Sequence, residues 1–279
     1  MTYIDSRVSL FSGMYQASEK PALWKLSSLI IAAYVIIPLS YWSLLAFDPP
    51  FIKRLVTEDG FIETLGALFY LLATLILFLL FYRSIETHNR LFGISTHRNY
   101  FILLLAAFFL FCFGEEISWG QRIIGWNTPH IWAEINSQSE TNIHNLWIFK
   151  GIYQDGTEKS FLEKLTDHSR LLSMFWLTYC VLIPIFYIVS NRLKVFFNFS
   201  GLPIPSIIVG GLFVANYLSY RLATATIDVG VYHAFIELKE TNNAAIFAIL
   251  TVYFLVRHDF VCEYMRARNI GKTQPRSVN

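Results

Sequence analysis

The sequence predicts an all-α protein: a polytopic membrane helix bundle of about six transmembrane helices, with one long extracytoplasmic loop that carries interfacial helices. Of its 279 residues, 54% are hydrophobic, 15% are charged and 25 are phenylalanine. The mean hydropathy is +0.45. So many apolar side chains exceed what the core of one soluble domain could bury.

Six segments carry this hydrophobicity. A helix needs about twenty apolar residues to cross about 30 Å of hydrocarbon, because each residue rises about 1.5 Å. Three segments reach that length unaided, namely 26–47, 61–82 and 171–190. Three others reach it only with polar neighbours, namely 100–119, 204–224 and 237–256. No repeat or linker separates them, so we expect a single integral membrane domain over residues 1–279, with no cleavable signal peptide before the first span.

The distribution of charge predicts the orientation, because short cytoplasmic loops carry excess lysine and arginine. With both termini inside, the inner segments hold thirteen of the 22 basic residues and five acids, and the outer segments hold nine basic residues and fifteen acids. We therefore expect cytoplasmic termini. The compactness and topology of the chain favour a prokaryotic inner membrane. The outer loop, 120–170, begins in a tryptophan-rich stretch typical of segments at the headgroup level.

Polar residues complete the three short spans at their outer ends, and this predicts a wet pocket there. Ionisable groups at that depth cost several kcal/mol unless they face one another, water or an ion, so they are functional candidates. The densest stretch runs from Gly114 to Arg122. If it is helical, it places Glu115, Ser118 and Arg122 on one face. The alternative is a structural salt bridge from Glu115 to Arg122.

Two further patterns point to the same pocket. In the polar segment 136–145, Glu140 and His144 would share a helical face and could hold a metal or form a carboxylate–imidazole pair. A solvated loop whose Asn and Ser residues cap turns is the alternative. His233, Glu237 and Glu240 are spaced for one helical face, although acids at a helix N-terminus also complement its dipole.

These patterns give three sets of candidate residues. The catalytic candidates are Glu115, Glu116, His144 and Glu140. The substrate-binding candidates are Arg122, Arg221, Gln121, Asn142 and Ser118, with the two arginines as anion holders. The candidates for a divalent metal, the possible cofactor, are Glu116, His144, His233, Glu237 and Glu240. His130 and His168 are expected to be solvated, and the three cysteines to pack in or near the spans.

The leading interpretation is a membrane-embedded enzyme that acts on a lipid or lipid-linked headgroup, with membrane lipids as partners. The sequence contains no phosphate-binding glycine loop, nucleophile elbow, HExxH pair or CxxC pair, and its charge pattern gives no support to nucleic-acid binding. A cation- or proton-coupled transporter would use the same carboxylates. A membrane assembly or binding protein would use the outer loop to dock a partner.

Overall fold

The computed structural model describes residues 19–55, 60–86, 89–227 and 231–273, and within these ranges it is mostly helical, with a single short hairpin of β-strands. Five helices there are long and apolar enough to cross a membrane. They are Ser27–Leu45, Phe61–Arg83, His168–Val189, Ile207–Thr224 and Tyr232–Glu263. The predicted all-α membrane bundle is confirmed, and the five apolar helices indicate a membrane-embedded protein.

Most elements follow one another with short connections, and the exception is the segment 136–167, which contains 3-10 turns but no α-helix. The helices are α1 (Ser27–Leu45), α2 (Pro49–Leu55), α3 (Phe61–Arg83), α4 (Tyr100–Glu116), α5 (Gln121–Ile124), α6 (His130–Ile135), α7 (His168–Trp176), α8 (Ile183–Val189), α9 (Asn191–Ser200), α10 (Ile207–Thr224) and α11 (Tyr232–Thr273). A hairpin of β1 (Asn89–Leu91) and β2 (Ile94–Thr96) joins α3 to α4. A π-helical turn, Leu177–Leu182, joins α7 to α8 within one apolar span.

Two of the predicted spans have different bounds in the structure. The span predicted at 100–119 is a helix of 17 residues that ends at Glu116, because the chain turns into left-handed conformations at Ser118 and Trp119. The span predicted at 237–256 lies within α11, which begins at Tyr232 and has 42 residues. Within α11, the apolar run is therefore flanked by polar helical turns on both sides.

The core of the bundle is aromatic. Phe247 of α11 packs against Phe109 of α4, with ring centroids 4.9 Å apart, and against Phe213 of α10, at 4.7 Å. Tyr70 of α3 stacks on Phe109 at 6.1 Å. These contacts tie four helices together through dispersion and ring geometry, which are the attractive forces available where the surrounding lipid is equally apolar.

Asn216 of α10 joins three helices through a buried polar network. Its Nδ2 donates to Asn243 Oδ1 at 2.9 Å and to the Lys239 carbonyl at 3.0 Å, both on α11. Its Oδ1 accepts a bond of 2.6 Å from the Tyr41 hydroxyl on α1. A buried amide with its partners present fixes helix register more strictly than apolar contacts do.

The two ends of the bundle differ in charge. At one end Arg83 forms an ion pair of 2.8 Å with Asp259, and Lys25 lies 4.6 Å above the Phe260 ring. The opposite end holds the start of α3, the end of α4 and the starts of α7 and α11. The polar residues that complete these spans therefore meet at a single end of the bundle.

Gly210 permits a close contact between α10 and the span formed by α7 and α8. Pro184 has no N–H to offer the Cys180 carbonyl one turn earlier, and the π-helical turn leaves this carbonyl facing α10. A Cβ added at Gly210 would lie 2.1 Å from the Cys180 carbonyl oxygen. The glycine is thus required by packing rather than by backbone conformation.

We expect Gly210→Ala to lower the free energy of unfolding by about 1–3 kcal/mol, because α10 must move away from a rigid backbone oxygen. Thermal unfolding of the purified protein in detergent measures the loss. Gly151→Ala is the control, since a Cβ there meets only an ordinary contact of 3.5 Å with Asp167. Equal melting temperatures for the two variants would contradict this account of the packing.

Candidate functional site

A cavity of about 750 Å³ opens at the end of the bundle opposite Arg83. Its walls come from α3, α4, α7, α11 and the loop segment 138–150. The apolar lining consists of Tyr70, Phe108, Phe111, Cys112, Ile143, Phe149, Leu171, Leu172, Phe175 and Ile236. The polar lining consists of Glu63, Glu115, Glu116, Gln138, His144, Asn145, Lys150, His168, His233, Glu237 and Glu240. The cavity is therefore amphipathic.

A left-handed turn follows α4, next to the two cavity-lining glutamates Glu115 and Glu116. Ser118 (φ 46°), Trp119 (φ 55°) and Gly120 (φ 82°) reverse the chain, and two of these three residues carry a side chain in a region that glycine normally occupies. The turn brings the Trp119 ring back onto α4, where a Cβ at Gly114 would lie 2.8 Å from it. Glu115, Ser118 and Arg122 consequently do not share a helical face, contrary to the helical interpretation of this stretch.

Glu115 joins this turn to the loop. Trp119 Nε1 donates to its Oε1 at 2.6 Å, and the backbone N–H groups of Ile143 and His144 both donate to its Oε2 at 2.7 Å. The side chain is buried, so these charge-assisted bonds are stronger than they would be in water. Glu115 lines the cavity, but its oxygens are occupied in holding the loop.

Several sequence-predicted residues lie behind the cavity wall, in a hydrogen-bonded polar cluster. It consists of Ser118, Gln121, Asn136, Glu140 and Asn142. Glu140 Oε2 accepts from Ser118 Oγ at 2.6 Å and from Asn142 Nδ2 at 2.7 Å. Gln121 Oε1 accepts from the backbone N–H of Thr141 at 2.8 Å. None of the five lines the cavity. Their contacts give them a structural role, in which they fix the loop against the end of α4.

The segment 136–145 is not helical, so Glu140 and His144 do not share a helix face. Asn136 Oδ1 accepts from the backbone N–H groups of Gln138 and Glu140, and Ser139 has a φ of 58°. This agrees with the turn-capping part of the alternative, but the loop is not solvated, because Asn136, Glu140 and Asn142 are buried. Only His144 of that predicted pair lines the cavity.

His144 and His168 meet at the cavity wall, with ring centroids 5.4 Å apart. His144 Nδ1 lies 3.3 Å from Glu115 Oε2, and His168 Nδ1 lies 3.3 Å from the Phe149 carbonyl. Both contacts favour the tautomer with hydrogen on Nδ1, which leaves each Nε2 able to exchange a proton. His168 Nε2 lies 3.9 Å from Glu240.

Sequence reasoning missed His168, which it expected to be solvated. His168 is the first residue of α7, directly after the N-cap Asp167, whose carboxylate accepts from Ser169 N–H at 3.1 Å. Its position in the sequence could have indicated this role. His168 is an ionisable residue at the start of an apolar span, as Glu63 is at the start of α3, and both spans start at the polar end of the bundle.

The structure places His233, Glu237 and Glu240 along the cavity side of α11. His233 Nε2 lies 3.5 Å from Glu237 Oε1. Lys239 Nζ lies 3.7 Å from Glu240 Oε1 and donates to Ser169 Oγ on α7 at 2.6 Å. Because Lys239 connects α11 to α7, the spacing between these two walls is fixed by a direct bond.

Lys150 is the only lysine or arginine among the described residues that line the cavity. Its ammonium donates to Asn145 Oδ1 at 2.5 Å. Burial lowers the pKa of Lys150, and the nearby carboxylates, chiefly Glu240, offset this only in part. Lys150 is thus a cation whose proton is held less firmly than that of a solvated lysine.

The two arginines predicted as anion holders are not among the described residues that line the cavity, whereas all five predicted metal ligands are. Arg221 is exposed and does not line the cavity, and the side chain of Arg122 lies outside the described residues. Glu116, His144, His233, Glu237 and Glu240 all line the cavity. Among the described residues, however, no three His, Cys, Asp or Glu side chains are grouped closely enough to hold a metal ion.

Comparison of the chain with known protein families, with characterised proteins and with solved structures finds no match.

We expect Glu115→Ala to loosen the loop, because it leaves three N–H donors without their acceptor, each at a cost of about 1–3 kcal/mol where buried. Limited proteolysis of the purified protein should then cut within 138–150 faster than in the wild type. Glu134→Ala is the control, since the Glu134 side chain is 65% exposed and lies on α6 away from the cavity. A loop that resists proteolysis equally in both variants would show that Glu115 does not hold it.

Proposed function

We propose that this protein is a membrane-embedded enzyme that acts on the headgroup of a lipid. The observation that carries the proposal is the amphipathic cavity, in which His144, His168 and a set of glutamates face the same space as an apolar wall. A lipid has the matching division between a polar head and an apolar chain. Pockets with a few convergent polar groups on an apolar lining are typical of small-molecule sites.

The outer surface of the bundle supports access from the lipid. Phe111 on α4 and Leu171 on α7 both line the cavity, yet 41% and 43% of their surfaces are exposed. Because the cavity is open, that exposure includes the surface of both residues that faces it. A lipid chain that enters between α4 and α7 would stay in contact with these apolar side chains while its headgroup reaches the histidines.

The two histidines are suited to acid–base chemistry. His144, oriented by Glu115, would take a proton from a nucleophile such as water at Nε2, and His168, protonated on both ring nitrogens, would give its Nε2 proton to the leaving group. Glu240, close to Nε2 of His168, would stabilise the protonated imidazole. Glu116 lies in the same space and is the further candidate proton carrier.

Packing below the cavity argues against the transporter alternative. Tyr70, at the cavity wall, is followed by the packed rings of Phe109, Phe247 and Phe213, which fill the middle of the bundle. An ion path would need polar groups through this layer.

We place the cavity on the extracytoplasmic side of a prokaryotic inner membrane, since the basic residues Lys25 and Arg83 lie at the other end.

We expect His144→Ala, His168→Ala and Glu116→Ala each to reduce turnover by at least about a hundredfold, as loss of a general acid or base does. Purified protein is reconstituted with a total bacterial lipid extract, and mass spectrometry follows the lipid composition with time. His130→Ala is the matched control, because the His130 side chain is 87% exposed on α6. Full activity in all three folded variants would contradict the assignment, and cation flux in the same vesicles would favour the transporter.

A further inference from the structure

The cavity has a strong excess of negative charge. Five glutamates and one lysine line it, which gives a formal charge of −4 when the three histidines are neutral. Glu116, Glu237 and Glu240 all line this one cavity. Like charges that share a space of low polarity repel, so their fully ionised form is costly, and either a bound proton or a positive group of a ligand relieves that cost.

The residues around the cavity do not fully compensate this charge. Glu115 is satisfied by three N–H donors, and His233 faces Glu237 at 3.5 Å. Glu240 differs, because its Oε1 is buried and accepts no hydrogen bond. Lys239 Nζ lies 3.7 Å away, beyond hydrogen-bonding distance, and donates instead to Ser169. A buried carboxylate oxygen at a cavity wall without a donor points to a ligand that brings one.

An anionic headgroup would find few partners here. Lys150 is the only lysine or arginine among the described lining residues, and its ammonium already binds Asn145. Nor do three metal-binding side chains in the described part of the chain come together to hold an inorganic cation. An organic cation attached to an apolar chain satisfies both walls of the cavity.

We propose that the ligand of this cavity is a lipid with a positively charged amine headgroup. Its ammonium lies among Glu116, Glu237 and Glu240 and donates to Glu240 Oε1, and its chain follows the wall formed by Phe108, Phe111 and Phe175. The inference rests on the proposed function, since it names the class of lipid that the enzyme accepts. The glutamates that line the cavity would favour an ammonium electrostatically over neutral and anionic headgroups.

The experiment compares three single-chain lipids of equal chain length. These are sphingosine, which carries an amine, a monoacylglycerol, which is neutral, and a lysophosphatidic acid, which is anionic. Native mass spectrometry of the purified protein in a neutral maltoside detergent gives the bound fraction of each in competition. We expect sphingosine to bind about tenfold or more tighter than the monoacylglycerol, and the lysophosphatidic acid to bind most weakly.

Two substitutions with opposite expected effects separate electrostatics from damage to the fold. Glu240→Gln keeps the shape of the side chain and removes a charge, so the preference for sphingosine should fall about tenfold. Lys150→Gln removes the cationic competitor and should raise the preference. Glu134→Gln on α6, outside the cavity, should leave the preference unchanged.

The possible outcomes separate the amine assignment from the proposed function. Preference for the lysophosphatidic acid, equal binding of all three lipids, or displacement of sphingosine by Zn²⁺ or Mg²⁺ at equal concentration would overturn the amine assignment while leaving a lipid enzyme in place. Failure of every lipid to bind the wild-type protein would overturn the proposed function itself.

Discussion

The arrangement of the site depends on one buried carboxylate, Glu115. An acid at the C-terminal end of a helix opposes the helix dipole, so its position is unfavourable without strong donors. Trp119 and two backbone N–H groups of the loop provide them. The same bonds hold His144 at the cavity wall. The helix end, the left-handed turn and the loop are thereby joined at a single pair of oxygens.

Neighbouring residues in the polar segments have different tasks. Glu115 holds the loop, whereas the adjacent Glu116 faces the cavity among other acids. Glu140 is hydrogen-bonded within the polar cluster that does not line the cavity, whereas His144, four residues later, lines the cavity and contacts His168. Both polar segments therefore combine a scaffold with a candidate site. Spacing along the chain cannot separate the two, because the residues alternate over one to four positions.

Hydropathy and charge predicted the helices and the end of the bundle where the polar groups meet, because an ionisable residue at the end of a span has only one direction open to it. The conformation of 118–120 could not be predicted in this way. Neither Ser118 nor Trp119 favours a positive φ. The turn also places the Trp119 ring against Gly114, and the conformational preferences of single residues do not predict such a contact. His168 was missed for a different reason, since it was assigned to the loop rather than to the first turn of α7.

Hydrogen bonds to α10 and α7 fix the positions of the acidic residues of α11. Asn216 binds the carbonyl of Lys239 and the side chain of Asn243, and this fixes the rotation of α11 against α10. Lys239 then reaches Ser169 on α7, so the same residue sets the distance across the cavity. Glu237 and Glu240 cannot relieve their mutual repulsion by turning the helix without breaking these buried bonds. The two side chains therefore keep their positions at the cavity wall in the folded protein, where they would face the amine headgroup proposed above.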